Sequence, residues 1–280
     1  MATYAGRMHR IRALALSTHP GPGLAVTAIT VLLGVASGLE PWRIAVLGVA
    51  VALNQASVGL SNDWIDADRD RAVKRTDKPV ARGDISPAAA RNAAFATAAA
   101  AVLLTIPLGW SATVIHAAFI MSAWMYNARL KNSALSVLPY IVSFGILPAI
   151  VTLARAEPAF AAWWVVAAGA LLGAGAHFAN VLPDLDDDAA TGIRGLPHRL
   201  GRRGSVVVTW VALLAASVSL AFGLGFDAIG IAGLGVSLVI AAVGLVLGLR
   251  GAGRGLFRLV IAGAVVDVAL LVLAGSRMLA

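Results

Sequence analysis

Apolar runs close to the 17 to 25 residues a helix needs to cross roughly 30 Å of hydrocarbon recur along this chain, separated by short charged segments. Nine are counted: Pro22–Leu39, Trp42–Ser61, Ala88–Leu108, Trp110–Tyr126, Ala134–Ala154, Phe160–Pro183, Ser205–Phe226, Ala228–Leu249 and Leu256–Met278. No formal charge falls between Arg91 and Arg129, a stretch too long for one crossing, and the Pro107-Leu-Gly109-Trp110-Ser111 break divides it in two. With 59% hydrophobic and 13% charged residues, the expectation is a single all-α integral membrane domain over residues 1–280.

The net charge of +8 is explained by topology before any partner is invoked. Of 22 Lys and Arg, 19 fall at the N-terminus or in the loops after the second, fourth, sixth and eighth runs; only Arg43, Arg155 and Arg277 lie on the opposite side. The positive-inside rule then predicts a cytoplasmic N-terminus and an external C-terminus, in a bacterial-type plasma membrane. No aromatic-basic surface accompanies the charges, so no nucleic-acid partner is expected. Ala36-Ser37-Gly38 after the first run imitates a signal-peptide cleavage site, but no exported soluble domain follows, and the run reads as an uncleaved span. The absence of cysteine excludes disulfides, thiolate nucleophiles and Cys-ligated metals.

The acidic residues carry the functional signal. Ten of 14 Asp and Glu fall in two windows, Asp63 to Asp84 and Asp184 to Asp188, both at the cytoplasmic ends of runs. Asn62, Asp66 and Asp70 repeat every four residues, with Asp63 beside them, and so do Asn180, Asp184 and Asp188. Four-residue spacing stacks side chains on one helix face. Like charges so placed, near a membrane, need neutralising, and hard oxygen ligands point to Mg²⁺ bridging to substrate phosphates. A diphosphate meeting these faces unaided would be repelled by roughly 3 kcal/mol per charge pair at about 5 Å and an effective dielectric near 20. A carboxylate-lined transport pathway would instead distribute acids through the bilayer, and only Asp267 lies deep.

These residues resemble the UbiA superfamily of intramembrane prenyltransferases, nine-helix proteins with an Asn-Asp-xx-Asp-xxx-Asp motif on the second helix and Asp-xxx-Asp on the sixth. The first motif falls on Asn62, Asp63, Asp66 and Asp70, the second on Asp184 and Asp188. The Lys78-Pro79-Val-Ala-Arg82-Gly83 segment is similar to the family's Arg-Pro-rich loop, with Lys at 78 where the family has Arg, which keeps the charge but removes a bidentate fork. Tyr126-Asn-Ala-Arg129-Leu-Lys131 resembles a Tyr-xxx-Lys-type segment, and Gly192-Ile-Arg194-Gly195 a turn opening a second cytoplasmic cap.

The resemblance implies nine helices around a central lipid-open cavity, capped by cytoplasmic loops at about 71–87 and 189–204. It implies prenyl transfer from an isoprenoid diphosphate to an aromatic or other lipophilic quinone or lipid-precursor acceptor, with two Mg²⁺ held by Asn62, Asp66, Asp70, Asp184 and Asp188. Phosphate oxygens would meet Lys78, Arg82, Lys131, Asn180 and Arg199, while Asp63, Tyr126, Lys131 and His177 are the catalytic candidates. Either Asp63 or His177 could take the acceptor's proton, although a lone His in a membrane helix more often serves packing. His19 and His116 stand in no motif. A terpene cyclase of the same superfamily is the alternative; aromatic residues at 6% weigh toward transfer, because a cyclase lines its chamber with aromatic faces.

Overall fold

The computed structural model describes the backbone of residues 2–185, 192–251 and 253–280, and side chains at 8–183, 185, 192–251 and 258–280. Among the described residues the protein is all helical, with no strand beyond one isolated bridge between Ala161 and Leu279. In chain order the first six helices are α1 (Ala2–Ser17), α2 (Pro20–Ala36), α3 (Pro41–Ile65), the short α4 (Ala67–Ala72) and α5 (Pro79–Arg82), and α6 (Pro87–Thr105). There follow α7 (Trp110–Ala128), α8 (Leu138–Leu153), α9 (Trp163–Val181), α10 (Leu196–Gly223), α11 (Ala228–Leu249) and α12 (Gly253–Leu273).

Local chemistry sets the boundaries. Proline opens α2, α3, α5 and α6, where its missing N–H has no helical partner to lose and its fixed φ suits the helix. Ser86 and Asp227 accept the Ala89 and Gly230 amides at 3.1 and 2.9 Å, capping α6 and α11. Gly109, at φ 125°, makes the reversal between α6 and α7. Two features depart from the sequence reading. The charged N-terminal segment is the helix α1, whose described part meets α2 at 63°. The seventh run is already helical from Leu196, with a non-helical break at Gly201, so α10 starts ahead of the expected Ser205.

By length and hydropathy, α3, α6 with its 3₁₀ extension to Leu108, α9, α10 and α11 can each cross a membrane. Leu24, Val49, Phe95, Trp110, Trp163, Val211 and Val239 face outward, as suits a chain whose surroundings are lipid. Lipid gives helices no hydrophobic reason to associate, so close packing must do it. A Cβ on Gly169 or Gly173 would fall on the Phe144 or Tyr140 carbonyl, so these glycines let α9 lie directly on the α8 backbone.

The three arginines that break the charge asymmetry are each engaged at a helix end. Arg43 donates to the Ala154 carbonyl at 3.0 Å, Arg277 to the Leu224 carbonyl at 3.0 Å, and Arg155 to the Ser37 carbonyl. Cationic donors here satisfy carbonyls that no further turn can reach.

Candidate active site

The carboxylates of the first acidic window gather where α3 gives way to α4. Asp66 caps the end of α3, yet its amide still bonds to Asn62 O at 2.9 Å and its carbonyl receives the Asp70 amide at 2.8 Å, so the four-residue register survives. Asp63, Asp66 and Asp70 are all buried. Buried carboxylates need partners, and three cations supply them. Lys78 Nζ lies 3.2 Å from Asp63 Oδ1, 3.0 Å from Asp70 Oδ2 and 2.9 Å from Asn62 Oδ1. Arg69 spans Asp66 (2.9 Å) and Asp70 (3.4 Å), and Lys131 pairs with Asp66. Burial pushes the Lys131 ammonium below its usual range, with Asp66 opposing the shift.

This balance corrects one expectation. Spacing alone left the carboxylates dependent on divalent ions for neutralisation; in the fold Asp63, Asp66 and Asp70 meet Arg69, Lys78 and Lys131. Among the described residues no three acidic or histidine side chains stand together as a ready ligand set. Asn62 and Asp66 nevertheless present hard oxygens on a cavity wall, a donor set that fits Mg²⁺. The Asp184 side chain and all of Asp188 lie outside the described residues.

The cavity beside this cluster holds about 640 Å³. Asn62, Asp66, Arg69, Lys78 and Lys131 line its polar end, with Asn180 from the last turn of α9. Phe119, Tyr126, Tyr140 and Phe144 form an aromatic wall, and Val26 and Val260 belong to its apolar part. Close helix contact builds that wall. Gly173 seats the Tyr140 backbone, and one turn later His177 packs its ring 4.9 Å from that of Tyr140 and 5.8 Å from that of Tyr126. Tyr140 also hydrogen-bonds Tyr126 and Asn180. A Cβ at Gly195 would meet Lys131 O at 2.7 Å; its absence lets the turn before α10 close over this end, where the Leu196 amide donates to Ser136 Oγ at 2.8 Å.

The remaining expected residues divide. His177 is buried and lines the cavity, its Nε2 bonded to Ser136 Oγ at 3.0 Å. Asp63 and Asp70 stand behind the wall rather than on it. Arg82 and Arg199 are not brought to the cavity. Arg82 turns to Asp84 and the Thr76 carbonyl, its hydrogen bonds holding the Asp84 carboxyl below its usual range, and Arg199 donates to the Arg194 carbonyl. One wall residue had no motif to announce it: His19, at the joint between α1 and α2.

A bundle of apolar helices around a half-polar, half-aromatic chamber is the architecture of an intramembrane enzyme for amphiphilic substrates. A model of the UbiA prenyltransferase family matches residues 24–255, and the chain belongs to that family. It is an integral membrane prenyltransferase, and the transporter alternative falls with that assignment. Similar curated proteins include the digeranylgeranylglyceryl phosphate synthase of Natronomonas pharaonis, 29% identical over 217 residues (76% of this chain, 77% of the relative). The 4-hydroxybenzoate octaprenyltransferase of Cronobacter sakazakii is 28% identical over 210 residues, 72% of each chain. Among solved structures, a UbiA homologue from Aeropyrum pernix K1 superposes with a TM-score of 0.73 at 18% identity, covering 90% of this chain and 97% of that one. A homologue from Archaeoglobus fulgidus bound to GPP and Mg²⁺ gives 0.72 at 15%, covering 94% and 98%.

Proposed function

We propose that the protein transfers a prenyl group from an isoprenoid diphosphate to an aromatic or lipid-precursor acceptor inside the membrane, with Mg²⁺ at the Asp-rich end of the cavity. The observation that carries this reading is the cavity's division: oxygen donors and cations at one end, aromatic and apolar side chains along the rest. Bound metal would offset diphosphate charge and stabilise it as a leaving group. Asn62 and Asp66 would hold it, with Asp70 behind them, and the sequence motif adds Asp184 and Asp188 to complete a set for two ions. Lys78, Lys131 and Asn180, on the cavity's polar end, would meet phosphate oxygens. Tyr126 and Tyr140 offer ring faces to an allylic cation and exclude water from it. Arg82 and Arg199 have no part in this reading, and Asp63 acts by holding its neighbours.

On the same reading the nine apolar runs are nine crossings of one domain. The cytoplasmic caps, at about 71–87 and 189–204, take in α5 and the start of α10, and the cavity opens to lipid for tail and acceptor. One relative named above is a digeranylgeranylglyceryl phosphate synthase and the other prenylates 4-hydroxybenzoate, which supports a glyceryl-phosphate or phenolic acceptor here. The aromatic wall also favours a second reading, cyclisation of the donor's own chain. Incubating purified protein with Mg²⁺ and a panel of prenyl diphosphates, with and without phenolic or glyceryl-phosphate acceptors, decides between them. Prenylated acceptor supports transfer; cyclic hydrocarbon formed without acceptor supports cyclisation.

A further inference from the structure

His19 occupies a backbone position that few residues other than glycine adopt, at φ 52° and ψ 63°. The turn that holds it is pressed onto α3: a Cβ at Gly59 would fall on the Thr18 carbonyl, so only a residue without one admits this approach. One helical turn beyond Gly59 comes Asp63, and His19 Nε2 lies 2.8 Å from Asp63 Oδ1. The Asp63 side chain is 1% exposed, whereas that of His19 is 41% exposed and lines the cavity along with Gln55 and Asn62. A carboxylate paired with Lys78 can only accept, so Nε2 carries the proton and Nδ1 is left as a lone-pair acceptor. Among the described residues Nδ1 has no protein partner.

We propose that His19 is the general base that takes the acceptor's proton during prenyl transfer, with Asp63 as its positioning residue. This role rests on the transfer reading above. The allylic C–O bond of the donor breaks and its electron pair leaves with the diphosphate. The nucleophilic atom of the acceptor bonds to the allylic carbon, and the proton that atom carried moves to Nδ1. The resulting imidazolium sits against the buried Asp63 carboxylate and, being partly exposed, releases its proton to water. His177, the base suggested by its place before Asn180, lacks this arrangement: Ser136 is its hydrogen-bond partner, and no carboxylate among the described residues faces it.

The test compares wild type, His19→Ala and His19→Gln for acceptor transfer as a function of pH, donor-diphosphate affinity, thermal unfolding, and rescue by free imidazole. The charged groups facing His19 are Asp63 from α3 and, across that carboxylate, Lys78 at the start of α5; α2 contributes none. On α1, His9, Arg10 and Arg12 are exposed, and His9 turns to Asp84. His19→Gln, whose amide can still donate to Asp63, should unfold close to wild type, and His19→Ala at a lower temperature because it leaves that buried carboxylate one donor short; both should bind donor normally and lose about 10²-fold or more in transfer. They should also lose the acidic limb of the kcat/KM profile, and imidazole should restore activity to His19→Ala. Transfer within about threefold of wild type, or a loss that comes with weakened donor binding and no imidazole rescue, would overturn the role. A wild-type protein that cleaves no prenyl diphosphate with Mg²⁺ removes the transfer reading and this role together; an active wild type beside unaltered variants removes only the role.

Discussion

Replacing Lys78 by Met tests the charge balance of the acidic end. Its ammonium sits 3.2 and 3.0 Å from two buried carboxylates and is itself buried. At about 3 Å and an effective dielectric near 20, each contact is worth about 5 kcal/mol gross, much of it offset by desolvation of the ammonium. Breaking a buried pair by removing one partner costs about 3–5 kcal/mol. The low end applies, because Asp63 keeps His19 and Asp70 keeps Arg69. About 3 kcal/mol in a chain of this length lowers Tm by roughly 5 °C. The loss should be metal-sensitive, since a divalent ion can replace the missing charge. At about a hundred times its Kd, a ligand that binds only the folded state returns about 2.7 kcal/mol. Thermal unfolding in detergent, followed by tryptophan fluorescence with chelator and then with Mg²⁺, reads both effects, and Lys78→Arg controls for charge. Unfolding of Lys78→Met together with wild type in chelator, or an equal rise of both proteins with Mg²⁺, would refute this charge balance.

Gly173→Ala places a methyl on the Tyr140 carbonyl, which cannot yield as a side chain would; a loss of about 1–3 kcal/mol in thermal unfolding is expected, with a lower kcat as Tyr140 and His177 separate. Arg82→Ala and Arg199→Ala should keep kcat/KM for donor within about twofold, because neither side chain lines the cavity; a roughly tenfold loss in either would return it to the phosphate site. Arg75, chiefly through its hydrogen bonds, holds the Asp77 carboxyl at about 2, below its ordinary 3.8. Stability from that contact is present above about pH 4 and is lost as pH falls through about 2. The mobility of a spin label at a cysteine introduced for Thr76 should rise across that window in the otherwise native chain and stay flat with Asp77→Asn.

What could be read from sequence followed from short-range periodicity. The apolar runs lie on helices because the length of hydrocarbon to be crossed is written directly into run length. The Asn62, Asp66, Asp70 register was legible because four-residue spacing has one geometric meaning. Their neutralisation was not: Lys131 reaches Asp66 from the 3₁₀ turn that follows α7, and no local pattern announces a partner so distant. That Arg82 and Arg199 do not line the cavity was not legible for a related reason, since a charge bias between membrane faces says which side a base is on but not which base faces a cavity. His19 stands in no motif because its meaning lies in a contact between Gly59 and the Thr18 backbone. The helix α1 and the break at Gly201 fall in segments whose charges read as loop, where no apolar periodicity marks a helix or its interruption.

Metal-dependent chemistry at Asp66 is tested most directly by release of diphosphate from a radiolabelled prenyl diphosphate, in chelator and after return of Mg²⁺, with purified wild type beside Asp66→Ala. Asp66 is the carboxylate that both lines the cavity and bonds Lys131. The expected result is no release in chelator, release and acceptor prenylation when Mg²⁺ returns, and neither in folded Asp66→Ala at any metal concentration. Full turnover in chelator, or wild-type rates in Asp66→Ala, would contradict it.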